Sequence, residues 1–187
     1  KWRGIHLQRN CRNSEGTISL KMQNRELITL FDSMKGKNLW YIFCGRGTGY
    51  SMSLEFGEKV KRKKKLTNST ISEIAKIYEG EISIYSVCTW RLTMKDSVIC
   101  SAHDSNEVGG RMAEGLKQLV NQTIIDIQLV SPVLDLNLFF TNGYKLSFFC
   151  DEVEEDGDEF DYCVFTRHKV FTFGTGGKLL IEKLSID

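Results

Sequence analysis

The chain has a single proline, three histidines and no Cys-x-x-Cys pair. One proline leaves no proline-rich linker, and an ordinary apolar fraction of 41% argues against long disordered stretches. No apolar run approaches the roughly 20 residues a membrane helix needs, and the start, Lys1-Trp2-Arg3-Gly4, lacks the apolar core of a signal peptide. These absences predict no membrane partner and a cytoplasmic location. The six cysteines (Cys11, Cys44, Cys88, Cys100, Cys150, Cys163) have no histidine close behind them as a zinc ribbon or finger requires, so neither a metal nor a cofactor is expected. Cys44, Cys88, Cys100 and Cys150 lie in or at the end of apolar runs, where a thiol behaves as a small hydrophobe. Catalytic signals are equally thin. His6, His103 and His168 fall in different elements, and no Gly-x-Ser-x-Gly elbow occurs. His103 beside Asp104 reads as an exposed imidazole next to a helix-capping carboxylate. Nothing assembles an acid, a base and a nucleophile, so the chain is not expected to be an enzyme.

Charge is present in quantity but unevenly placed. Residues 1–65 carry fifteen Lys/Arg against five Asp/Glu, and residues 66–187 carry ten against nineteen, so a net charge of +1 conceals two opposite charges of nearly ten each. Such asymmetry points to charged partners or to a charged contact between the two parts.

Short runs rich in Ile, Val, Phe, Tyr and Leu that alternate and end at Gly, Asn and Asp predict strands over 39–44, 50–56, 82–92, 97–102, 124–130, 134–140, 145–150, 160–166, 170–173 and 178–183. Several connections are too short for a helical crossover, so the sheet should be mostly antiparallel. Asn142-Gly143 is the strongest hairpin signal, with Asp156-Gly157 and 175–177 as two more. Three helices are expected. One spans 24–34, with Leu27, Leu30, Phe31 and Met34 on one face. The second opens at a Thr70-Ile71-Ser72-Glu73 capping box and runs to about 78; the third opens at an Asp104-Ser105-Asn106-Glu107 box and covers about 108–120.

The stretches 49–57 and 133–140 resemble each other, as do 86–92 and 162–168, which suggests an internal repeat. The expected fold is therefore α+β, a mostly antiparallel sheet built from two similar helix-plus-meander halves. The basic half would cover 1–104 and the acidic half 105–187.

Two charged segments carry the functional expectations. The run Lys61, Arg62, Lys63, Lys64 and Lys65, with Arg46 from the Gly45-Arg46-Gly47-Thr48-Gly49 loop, would attract a polyanion through counterion release. The loop itself leads towards a strand and lacks the Lys-Ser/Thr of a nucleotide motif, so it reads as a hairpin connection. The acidic stretch holds Asp151, Glu152, Glu154, Glu155, Asp158, Glu159 and Asp161. A turn at Asp156-Gly157 would set Glu154 against Glu159, Glu152 against Asp161, and Cys150 against Cys163. Opposed carboxylates destabilise a ladder unless a cation relieves them. The stretch lacks the alternating oxygens of a calcium loop; the relieving charge would be a basic protein surface, a divalent metal or the chain's own Lys59–Lys65 run, and a solvated hairpin that protects a sheet edge is the plain alternative.

Trp90-Arg91-Leu92, Ser101-Ala102-His103-Asp104-Ser105, Asp135-Leu136-Asn137-Leu138-Phe139-Phe140 and Asn142-Gly143-Tyr144-Lys145-Leu146 together resemble a pattern in a group of small uncharacterised bacterial proteins. That group is similar in size and character to the immunity proteins encoded beside bacterial toxins and to accessories of phage defence. The resemblance covers about residues 85–165, implies no catalytic residues, and leaves 1–80 outside. It implies a non-enzymatic protein-binding module whose acidic hairpin meets a basic partner, a toxin or a defence-complex subunit. The alternative is a nucleic-acid-binding subunit that uses the basic N-terminal region.

Overall fold

The computed structural model describes residues 20–44, 48–150, 160–174 and 177–184. Two antiparallel sheets carry most of them. The six-stranded sheet contains β1 (Leu39–Phe43), β2 (Met52–Lys61), β3 (Tyr78–Ser86), β9 (Phe160–Phe165), β10 (Lys169–Gly174) and β11 (Lys178–Lys183), side by side in that order. The five-stranded sheet runs β5 (Ser97–Ser101), β4 (Thr89–Met94), β8 (Tyr144–Phe149), β7 (Asp135–Phe140), β6 (Ile124–Val130). Three helices accompany them: α1 (Leu20–Met34), α2 (Glu73–Ile77) and α3 (Arg111–Lys117).

The expected antiparallel pairing holds throughout, but neither sheet is built from one half of the sequence. β3 pairs with β9 in the first sheet, and β4 pairs with β8 in the second. The helix-plus-meander halves are thus not the units of pairing, and the fold is dominated by sheet. The physical reason lies at Val87-Cys88. A continuous strand over 82–92 is broken there, because the Val87 and Cys88 N–H groups both donate to the Asp161 carbonyl, at 2.9 and 3.1 Å. Ahead of that corner the chain runs in one sheet, and after it in the other.

Alternation then decides which faces meet. On β3, Ile82, Ile84 and Ser86 are buried; on β7, Leu136, Leu138 and Phe140; on β4, Trp90 and Leu92. These inward sets form one core with Leu54 and Phe56 of β2 and with Leu30 and Met34 of α1. Each fully buried side chain of this size contributes about 1.5–3 kcal/mol. Tyr162 joins the two sheets. Its ring stacks on Phe173 at 4.3 Å and lies 6.0 Å from Phe148, and its hydroxyl donates to the Leu134 carbonyl at 2.8 Å. The Trp90 indole N–H is likewise satisfied, by the Tyr50 carbonyl at 2.7 Å.

Local signals behave unevenly. The Asn142-Gly143 hairpin forms, with Gly143 at φ 82° and the Asn142 side chain accepting from the Tyr144 N–H. In α2 the cap is Ser72, whose hydroxyl accepts from Ala75 N. In α3 the Asp104 box does not form. Asp104 instead accepts from the Ser101 N–H at 2.7 Å, Gly109 takes φ 77°, and the helix starts at Arg111, shorter than its apolar spacing predicts.

Gly80 sits where β2 and β3 bulge past each other. A Cβ there would lie 2.6 Å from both the Ile82 carbonyl oxygen and the Phe56 nitrogen, and backbone on both sides cannot yield. Gly80→Ala should therefore lower unfolding free energy by about 1–3 kcal/mol or more, read from the urea midpoint. An unchanged midpoint would contradict this packing.

Candidate functional site

The two predicted charged segments fare differently in the fold. Lys61, the last residue of β2, is exposed, as are Lys63, Lys64 and Lys65. Arg62 is turned inwards, with its side chain 11% exposed. Its Nε donates to the Ala75 and Tyr78 carbonyls at 3.0 and 3.1 Å, one terminal nitrogen reaches Glu79 at 2.7 Å, and the other reaches Glu55 at 3.3 Å. Lys65 pairs with Glu73 at 3.3 Å. Arg62 is therefore a structural cation rather than a polyanion contact. Arg46 lies outside the described residues, between the paired strands β1 and β2, so the glycine-rich loop joins a hairpin.

Asp151, Glu152, Glu154, Glu155, Asp158 and Glu159, with the Asp156-Gly157 turn, also lie outside the described residues. Asp161 lies within β9 and is wholly buried, so its carboxylate is not on the surface. Among the described residues β8 pairs with β4 and β7, and β9 pairs with β3 and β10, so Cys163 stands opposite Tyr85 and Thr172 rather than Cys150. Cys150 and Cys163 accordingly do not face each other and form no disulfide. The Cys150 thiol donates to the Leu134 carbonyl and the Cys163 thiol to the Thr172 hydroxyl. Burial pushes the Cys150 thiol well up, with the Asp161 charge adding to it.

Four ion pairs join the basic part of the chain to the acidic part. Lys35 pairs with Asp126 at 2.8 Å, Lys37 with Glu81 at 2.8 Å, Arg62 with Glu79 and Lys65 with Glu73. In each pair the cation precedes residue 66 and the carboxylate follows it. Hydrogen bonds from Lys76 and then Lys65 hold Glu73 below the ordinary carboxylate range, and those from Lys37 and Lys35 do the same for Glu81 and Asp126. Exposed pairs of this kind contribute little each.

Glu55 is the exception. It faces the outer side of β2, yet is only 4% exposed. It accepts from Gly80 N at 2.7 Å, from the Ser83 hydroxyl and from Arg62. Burial raises its pKa above 4.5 despite those donors, which pull the other way. Flanked by Leu54 and Phe56, it reads from sequence as an ordinary outward strand residue; the covering segment 62–77 is what buries it.

A cavity of about 320 Å³ opens between α1 and the β9–β10 turn, with Arg25, Glu26, Thr29, His168 and Lys169 in its wall. Glu26 and Lys169 close one side as an ion pair at 2.9 Å. His103 is exposed, and Asp104 is engaged with Ser101 rather than orienting an imidazole. Among the described residues no helix is long and apolar enough to cross a membrane, and no group of three His, Cys, Asp or Glu side chains converges on a metal position. Comparison with protein-family models, with curated proteins and with solved structures finds no match.

Two outcomes follow from the Glu55–Arg62–Glu79 cluster. Arg62→Met leaves Glu55 as an uncompensated buried charge and should cost about 3–5 kcal/mol in urea unfolding. Because the Glu55 pKa is raised in the native state, its contribution is fully favourable below the ordinary carboxylate value of 4.5 and is lost as pH rises through the native value. The stability of the parent chain relative to Glu55→Gln should fall over that window; a pH-independent difference would refute the assignment.

Proposed function

We propose that the chain is a non-enzymatic protein-binding module whose acidic segment engages a basic surface on another protein. One observation carries this reading: residues 151–159 hold seven carboxylates and no cation, while two cations of the basic run have carboxylate partners of their own. Arg62 and Lys65 find Glu55, Glu79 and Glu73 in their own neighbourhood. Both ends of the segment are tied into the sandwich, at Cys150 through the Asp135 carboxylate and at Asp161 through the Val87–Cys88 corner. A partner with a complementary positive patch would be steered on quickly and selected against like-charged competitors. A bacterial toxin or a defence-complex subunit is the partner class implied by the resemblance of residues 85–165 to immunity-like proteins.

The exposed Lys61, Lys63 and Lys64 support a second reading, weak binding to nucleic acid that falls steeply with salt. Arg62 takes no part in it.

Affinity capture of the tagged chain from its host's lysate, with and without nuclease, separates the two. A stoichiometric protein should survive nuclease and be lost when Asp151, Glu152, Glu154, Glu155, Asp158 and Glu159 are neutralised together; Asp161 is left intact because it is buried. Retention of the same protein by the neutralised variant would overturn the proposal, and material that disappears with nuclease would favour the second reading.

A further inference from the structure

The two sheets end in four edge strands, β1 and β11 of one and β5 and β6 of the other, and three of these are engaged along part of their outer side. On β1, the Leu39 N–H donates to the Gln122 carbonyl at 2.8 Å and the Leu39 carbonyl accepts from the Asn121 N–H at 2.7 Å. On β6, the Ile124 carbonyl accepts from the Gly36 N–H at 2.8 Å and the Ile124 N–H donates to the Lys37 carbonyl at 3.0 Å. On β5, the Arg111 guanidinium donates to the Ile99 and Val98 carbonyls at 2.8 and 3.0 Å. β11 differs: it pairs with β10, and among the described residues nothing bonds to its other side. An open edge is a row of unpaired N–H and C=O groups, a template for a strand from another chain. We infer that β11 is a self-association edge, at which two copies of the chain pair antiparallel across a twofold axis at Leu180.

Register and charge select that axis and the second copy as the occupant. The Leu184 N–H donates to the His168 carbonyl, and the pairing continues with Glu182 opposite Val170 and Leu180 opposite Thr172. Bonded positions alternate along an antiparallel strand, so these even residues turn their backbone to β10 while Leu179, Ile181 and Lys183 turn theirs outwards. Leu179 and Ile181 pack their side chains on the core. Lys178, Leu180 and Glu182 therefore take the other face, where Leu180 is 44% exposed. With the axis at Leu180, Leu179 of one copy exchanges backbone hydrogen bonds with Ile181 of the other, and Lys178 stands opposite Glu182. An axis at Ile181 would set Leu180 against Glu182 and Leu179 against Lys183; an axis at Leu179 would set Lys178 against Leu180. Only the Leu180 register matches apolar with apolar and cation with carboxylate, the pairings that favour a ladder. The contact is isologous, so each match occurs twice. One six-residue edge lies at the small end of protein interfaces, so the dimer dissociates on dilution.

The test is sedimentation equilibrium of the full chain over a concentration series reaching about 1 mM, where a monomer–dimer equilibrium is expected. Lys178→Glu and Glu182→Lys each set like charges against each other twice and should weaken the dimer by about tenfold, whereas the double variant Lys178→Glu/Glu182→Lys should restore the parent constant. Amide exchange at Leu179 and Ile181 should slow as the concentration of the parent chain rises, a readout that stands even where a variant folds poorly. A double variant as weak as the single ones would overturn the register. A parent chain that stays monomeric throughout would overturn the pairing itself and leave the edge to a strand from a different protein.

Discussion

The architecture depends on one backbone carbonyl. Asp161 O accepts from two consecutive N–H groups, Val87 and Cys88, where a strand that would otherwise run on is turned from one sheet into the other. Without it β3 and β4 would be a single long strand, and the six- and five-stranded sheets could not face each other. At the same place β8 and β9, consecutive in sequence, belong to opposite sheets. The Asp161 backbone therefore ties both crossings together, and Tyr162, the next residue, inserts its ring between Phe148 and Phe173. One carbonyl and the adjacent aromatic thus fix both the corner and the spacing of the sandwich, which is how buried backbone groups are satisfied where ladder pairing stops.

Much of this was legible from periodicity. Strand positions follow from alternation where a half-buried pleat imposes it, as on Tyr78–Ser86 and Asp135–Phe140. Illegible were the features that depend on residues far apart in sequence. The break at Val87-Cys88 needs a carbonyl more than seventy positions away. The similar stretches 49–57 and 133–140 fall on strands of different sheets, so their likeness does not mark a unit of pairing. Asp104 looked like a helix cap because Asp-x-x-Glu spacing is local, but Ser101 offered a closer N–H.

The candidate site was legible in composition and not in placement. Seven carboxylates at 151–159 are visible in the sequence, yet Asp161, in β9, is wholly buried and lost from the surface. The basic run misled in the same way. Lysines tolerate an exposed loop, but the planar guanidinium of Arg62 can satisfy two carbonyls and two carboxylates at once, which a lysine cannot do. The one arginine in the run is accordingly the residue the fold takes in, together with Glu55, whose burial would be unfavourable without it.

That internal use of cations bears on what the remaining charge does. Lys35, Lys37, Arg62 and Lys65 each meet a carboxylate from the later part of the chain, so four cations of the first part are offset by the second. Three exposed lysines follow one another around Lys61–Lys64, and a denser run of seven carboxylates lies at the β8–β9 crossing. Charge concentrated in nine residues repels itself more strongly than the same charge spread over a sheet, and a complementary surface gains correspondingly more by meeting it.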